Sequence, residues 1–144
     1  LRHAEYMTWP RGIALSEVYW SSKENKNWND FITRLEKQFP RLGAANVKYS
    51  TSMYNVVFQP ARIKNSDFGV TLTTEVKGLD IYYTFDNTNP DKFSPKFDGK
   101  PIKFPLGATY LNVITYRDGK PIGEQINITK DVLAQRLDEK HHVY

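Results

Sequence analysis

The amino-acid sequence predicts a mainly-β chain, an immunoglobulin-like β-sandwich preceded by a two-helix segment. Three observations predict it. Apolar residues recur at helical spacing up to about Leu42 and at a period of two after Tyr49. About six or seven short strands fit into roughly the next 85 residues. Turn residues separate them: Gly78, Asp98-Gly99 and Asp118-Gly119.

Composition supports a packed core, with 40% hydrophobic and 14% aromatic residues in 144. No run approaches the roughly 18 apolar residues of a membrane span, and no signal-peptide pattern is present. Leu1 is not an initiator Met and the chain starts in mid-pattern, which suggests a processed product or a piece of something longer. The absence of cysteine excludes disulfides, thiol catalysis and cysteine metal sites. The net charge of +4 comes from 20 basic residues spread along the chain. Spread charge is a solvated surface, not a nucleic-acid footprint.

From Glu5 to Trp20 the apolar residues fall on more than one helical face, as in a helix buried on several sides. Pro10 kinks this helix or starts a new one. Trp28, Phe31, Ile32, Leu35 and Phe39 form one helical stripe, with Asn27 as N-cap and Asp30 in the first turn. Pro40 bends or ends that helix, and Gly43 closes the region.

Val56 and Phe58 form a short strand interrupted by Pro60, which belongs at an edge or bulge. Val70, Leu72, Thr74 and Val76 alternate with Thr71, Thr73 and Glu75, a strand with one wet face. Ile81, Tyr83 and Phe85 alternate with Tyr82 and Thr84. The inward set of this strand is expected to meet Val70, Leu72 and Val76 on a neighbouring strand. Asp86, Asn87, Thr88, Asn89 and Pro90 then stop it at a tight polar turn. Thr109 to Tyr116 and Ile122 to Ile128 supply the last strands. The segment 131–144 is expected to be a tail or linker with one short helical patch, Val132 to Leu137.

Two stretches carry a resemblance. Glu5-Tyr6-Met7-x-Trp9-Pro10-Arg11-x-x-Ala14-Leu15-Ser16-Glu17-x-x-Trp20, with the amphipathic helix to Leu42, resembles the last barrel helices of family-20 glycoside hydrolases, the β-N-acetylhexosaminidases. Ile81-Tyr82-Tyr83-Thr84-x-Asp86-x-x-x-Pro90, then Pro101-Ile102 and the strand before Asp118-Gly119, is similar to the chitobiase/β-hexosaminidase C-terminal domain. Its usual turn is Thr-x-Asp-Gly-Ser-x-Pro. Here Asn87 stands where Gly is common, and Asn also tolerates positive φ.

The resemblance implies residues 1–46 as terminal helices of a (β/α)8 barrel, 47–130 as the sandwich and 131–144 as tail or linker. It implies a bacterial parent, periplasmic, secreted or on the cell surface, that removes terminal N-acetylhexosamine from glycans. Family-20 enzymes use an acid Glu and an Asp that orients the substrate acetamide as nucleophile. That pair lies upstream of the matched helices, so no catalytic residue is carried over and the fragment is expected to be inactive. Its partners are then the barrel of the parent and the parent's glycan, with weak self-association through residues 6–20. No nucleic acid, cofactor or metal is implied.

Individual candidates have commoner structural roles. Asp138-Glu139 is the one adjacent Asp-Glu pair but sits in a polar tail, as a solvated charge cluster does. Glu17 is a possible site carboxylate, though a buried partner for Arg11 or a backbone group is the commoner role. His141-His142 has no third metal ligand. Tyr54, Tyr82, Tyr110 and Tyr116 are a possible sugar-stacking platform, but aromatics on sandwich strands are mostly packing. The alternative function is a carbohydrate-binding or adhesion module with its own helical arm.

Overall fold

The computed structural model describes residues 2–63 and 68–141. The chain divides into two compact units, Leu1–Thr51 and Ser52–Tyr144.

The first unit holds four α-helices among the described residues: α1 (Arg2–Thr8), α2 (Arg11–Trp20), α3 (Trp28–Glu36) and α4 (Phe39–Ala44). Pro10 caps α2, its carbonyl accepting from the backbone N–H of Ile13 and Ala14, so a new helix starts there. Asn27 caps α3 as expected, its side chain accepting from the N–H of Asn29 and Asp30. Pro40 does not end a helix; it lies in the first turn of α4, where its missing N–H has no helical partner to lose. The α3 stripe is buried at Phe31, Ile32 and Leu35, and Phe39 stacks on Tyr49 at 4.6 Å. The segment after α4 returns along α1, with the Ser50 N–H donating to the Trp9 carbonyl at 2.9 Å. Trp28 is an exception to the stripe and stays half exposed.

The second unit is a mainly-β sandwich. One sheet has the order β1 (Val56–Arg62), β2 (Phe68–Thr74), β4 (Ile102–Lys103). In the other, β5 (Tyr110–Arg117) pairs on one side with β3 (Asp80–Thr84) and on the other with β6 (Lys120–Pro121) and β7 (Ile126–Thr129). β1 runs through Pro60, which pairs with Val70. Pro is tolerated because β1 is an edge strand whose outer side needs no ladder donor.

The core contains Val56, Val70, Leu72, Ile81, Phe104, Leu111, Val113, Ile128 and Leu133. Tyr83 and Phe85 are only partly buried but pack against it, and Phe85 meets Phe104 edge-on at 5.0 Å. The inward set is thus Ile81, Tyr83 and Phe85, while Tyr82 pairs edge-on with Tyr116 on the other face. One expectation is corrected. β2 is not the hydrogen-bonded neighbour of β3; it lies in the opposite sheet, so Val70 and Leu72 share the core from across the sandwich. The turn at Gly78, with φ +77, lies between them, and two strands with one wet face each satisfy the same pattern in either arrangement.

The tail is corrected as well. Residues Lys130–His141 form a 12-residue helix, α5, with Leu133 and Leu137 buried. Only this i, i+4 pair carries the apolar stripe, so the pattern is faint, while the polar remainder consists largely of good helix formers. α5 packs on β1 and β7, closing one side of the sandwich. Leu133 is fully buried and Val132 is 41% exposed. Leu133→Ala should therefore destabilise the sandwich by about 2 to 5 kcal/mol. Val132→Ala should cost under about 1 kcal/mol. Urea unfolding followed by near-UV circular dichroism distinguishes the two, and equal small losses would show that α5 is not part of the core.

Candidate functional site

The polar turn after β3 is built from side chains that close on one another. Thr84 Oγ1 donates to the Thr88 carbonyl at 2.6 Å. Asp86 Oδ1 accepts from the Thr88 N–H at 3.2 Å and from its hydroxyl at 2.6 Å. These bonds, the hydroxyl first and then the N–H, hold the Asp86 carboxyl below its ordinary range. Asn87 between them takes φ +62, the left-handed conformation that explains why glycine is common at this place in the resembled turn.

The turn is fastened to β5 by a chain of amides. Asn112 Nδ2 donates to the Thr88 carbonyl at 3.1 Å, and Asn127 Nδ2 donates to Asn112 Oδ1 at 2.6 Å. Asn112 is 1% exposed, so both ends of its side chain need these partners. Gln125 Nε2 adds a bond to Asn89 Oδ1 at 2.8 Å.

Beside the turn lies an open cleft of about 480 Å³, lined by residues 83–86, Pro95 and residues 105–108. Its far wall is a tight turn in which the Ala108 N–H donates to the Pro105 carbonyl at 3.1 Å and Gly107 takes φ +83. Leu106 on this turn is fully exposed. No sequence pattern marks this cleft beyond one local signal, a leucine set inside a Pro-x-Gly turn, where an apolar side chain has no core to enter.

The other candidates are not brought together. Tyr54 is buried with the Arg117 guanidinium 5.5 Å from its ring centre, while Tyr110 is 43% exposed at the far end of β5, so the four tyrosines form no common platform. Glu17 pairs with Arg34 and not with Arg11, because α3 packs against α2 with Arg34 opposite it. Asp138 lies 4.0 Å from Arg62, and Glu139 accepts from Gln135, both on the exposed side of α5. His142 lies outside the described residues, and of His141 only the backbone, at the end of α5, is described. Among the described residues no group of three His, Asp or Glu is arranged to hold a metal, and no helix is long and apolar enough to cross a membrane. In the first unit a cleft of about 500 Å³ is lined by apolar residues that include Trp9, Ile13 and Phe31 and by charged ones that include Arg34 and Arg41.

The Asp86 bonds link the turn to pH. Asp86 binds its proton less readily in the folded chain, so its stabilising contribution is present above the ordinary Asp range and is lost as pH falls through the lowered native value. Thr88→Val removes the hydroxyl donor and should move the Asp86 titration, followed by NMR, back up toward an ordinary aspartate. Asn87→Ala should cost about 1 kcal/mol, because Ala keeps the Cβ that crowds the carbonyl at positive φ and lacks the short polar side chain by which Asn offsets it, whereas Asn87→Gly should be close to neutral. An Ala variant as stable as the Gly variant would show that the turn does not need this conformation.

The comparison with known families falls on the same segment. Residues 60–126, from Pro60 in β1 to Ile126 at the start of β7, match the family model of the chitobiase/beta-hexosaminidase C-terminal domain, which supports assigning the sandwich to that domain family.

Proposed function

We propose that this chain is the C-terminal part of a β-N-acetylhexosaminidase, in which α1–α4 belong to the outer layer of a catalytic barrel and the sandwich supports that barrel. The observation that carries the reading is the match over residues 60–126. The surface of the first unit adds support. α2 has no buried residue, and Leu15, Val18, Tyr19 and Trp20 are all more than half exposed. Aromatic and branched side chains grouped this way on one short helix are normally covered by a partner.

In this reading the reaction is carried by an upstream Asp-Glu pair, and the 144 residues supply no acid for the glycosidic oxygen. A periplasmic, secreted or cell-surface parent follows from the family resemblance and belongs to the same proposal. Apart from the barrel, the α2 surface would favour a second copy. Burying roughly another 400 Å² of apolar area is worth on the order of 10 kcal/mol before association costs of similar size, so self-association through residues 6–20 would be weak.

The 144 residues alone should not hydrolyse an aryl N-acetylglucosaminide above a buffer control, because positioned proton transfer and charge stabilisation both need the missing groups. Joined to the natural upstream segment, the chain should turn it over. Activity of the isolated chain, or an upstream segment without a strand ending in an Asp-Glu pair, would defeat the proposal.

A further inference from the structure

We propose that the cleft between the Asp86 turn and the Leu106 turn is a binding site for a neutral, hydroxyl-rich ring, such as one pyranose unit of a glycan. This goes beyond the supporting role proposed above and does not depend on it. At about 480 Å³ the cleft is in the range of small-ligand sites.

Its walls and its polar groups ask for two different things of a ligand. Phe85, Pro95, Pro105 and Leu106 present apolar surface. The Leu106 wall is fixed by the Pro105–Ala108 hydrogen bond and by positive φ at Gly107, so a large aliphatic side chain is held fully in water. Asp86 is also held in place, by the two bonds from Thr88 to its Oδ1. An ionised carboxylate only accepts hydrogen bonds, so it selects a ligand that brings donors and repels an anion. A purely aliphatic ligand would offer that carboxylate no donor beyond the two it already has from Thr88. A pyranose meets both demands, with C–H groups for the apolar walls and hydroxyl donors for Asp86.

The test is a titration of the whole isotope-labelled chain with two neutral probes, the tetramer of β-1,4-linked N-acetylglucosamine and cellotetraose, read on backbone amides by NMR. Saturable shifts centred on Asp86, Gly107 and Ala108 are expected with at least one probe. Asp86→Asn should weaken that binding by about tenfold, the worth of a hydrogen bond to a charged group. Leu106→Ala, which cannot disturb a core because Leu106 is wholly exposed, should weaken it by about fivefold. Tyr116→Ala, on the outer sheet face, should leave it unchanged. Three results would overturn the site: no saturable shift with either tetramer, shifts centred on Tyr82 and Tyr116 instead, or n-butylammonium chloride binding the cleft more tightly than both sugars. Loss of this binding would leave hydrolysis of the small aryl substrate by the longer protein untouched, so the two proposals fail separately.

Discussion

Strand β5 is the constraint on which the sandwich depends. It is hydrogen-bonded along both sides, to β3 on one and to β6 and β7 on the other. Its inward residues Leu111, Val113 and Thr115 have no exposed surface at all. Its outward residue Asn112 is buried too, because the turn after β3 folds over it. A strand buried on both faces with polar groups among its side chains is stable only if every polar atom is paired. Thr115 meets this by donating to the Tyr54 carbonyl at 2.8 Å, and Asn112 by its bonds to Thr88 and Asn127. Gly123 is required by the same crowding: a Cβ there would lie 2.1 Å from Thr115 Oγ1 and 2.8 Å from the Tyr54 carbonyl oxygen.

The strands around β5 leave little open edge. β3 is covered on its outer side, where the Phe97 N–H donates to Ile81 and the Tyr83 N–H to Pro95. Lys96 holds that segment with an ion pair to Asp80 at 2.7 Å, which also raises the lysine above its ordinary range. Both groups are well exposed, so the pair fixes geometry more than it stabilises. β1 carries Pro60 and is contacted by α5, which also contacts β7. A proline on one edge, a covering segment on another and a helix against two of them are the devices by which β-proteins avoid pairing with other chains.

How far the amino-acid sequence reveals this arrangement depends on where the signal lies. The period of two located β2, β3 and β5 because each buries one face against the same core. It could not say that β2 and β3 lie in different sheets, since side-chain alternation is the same whether two strands pair or face each other. α5 leaves only a faint pattern because two leucines four residues apart do the work of a stripe. The partner of Glu17 is not legible locally, because Arg11 is near in sequence while Arg34 is near in space, on α3. The Thr84–Pro90 turn was legible since Asp, Asn and Thr bond locally. Its attachment to Asn112, 24 residues away, and the cleft beside it depend on contacts between segments that no local pattern records.

The two units differ in how completely they cover themselves. Among the described residues of the sandwich the large exposed apolar side chains are separated in sequence: Val57, Phe93, Leu106, Tyr110 and Val132. Apart from Leu106, which walls the cleft, single residues of this kind are ordinary on a surface. In the helical unit Leu15, Val18, Tyr19 and Trp20 are exposed within six consecutive residues of one helix, and Trp28 begins the next. Four short helices cannot bury them all, because the α3 stripe that forms the core already spends its width on Phe31, Ile32 and Leu35. The sandwich therefore scatters its exposed apolar side chains. The helical unit groups them on α2, and this contrast, more than any single residue, is what supports the proposal that the unit is covered within a larger protein.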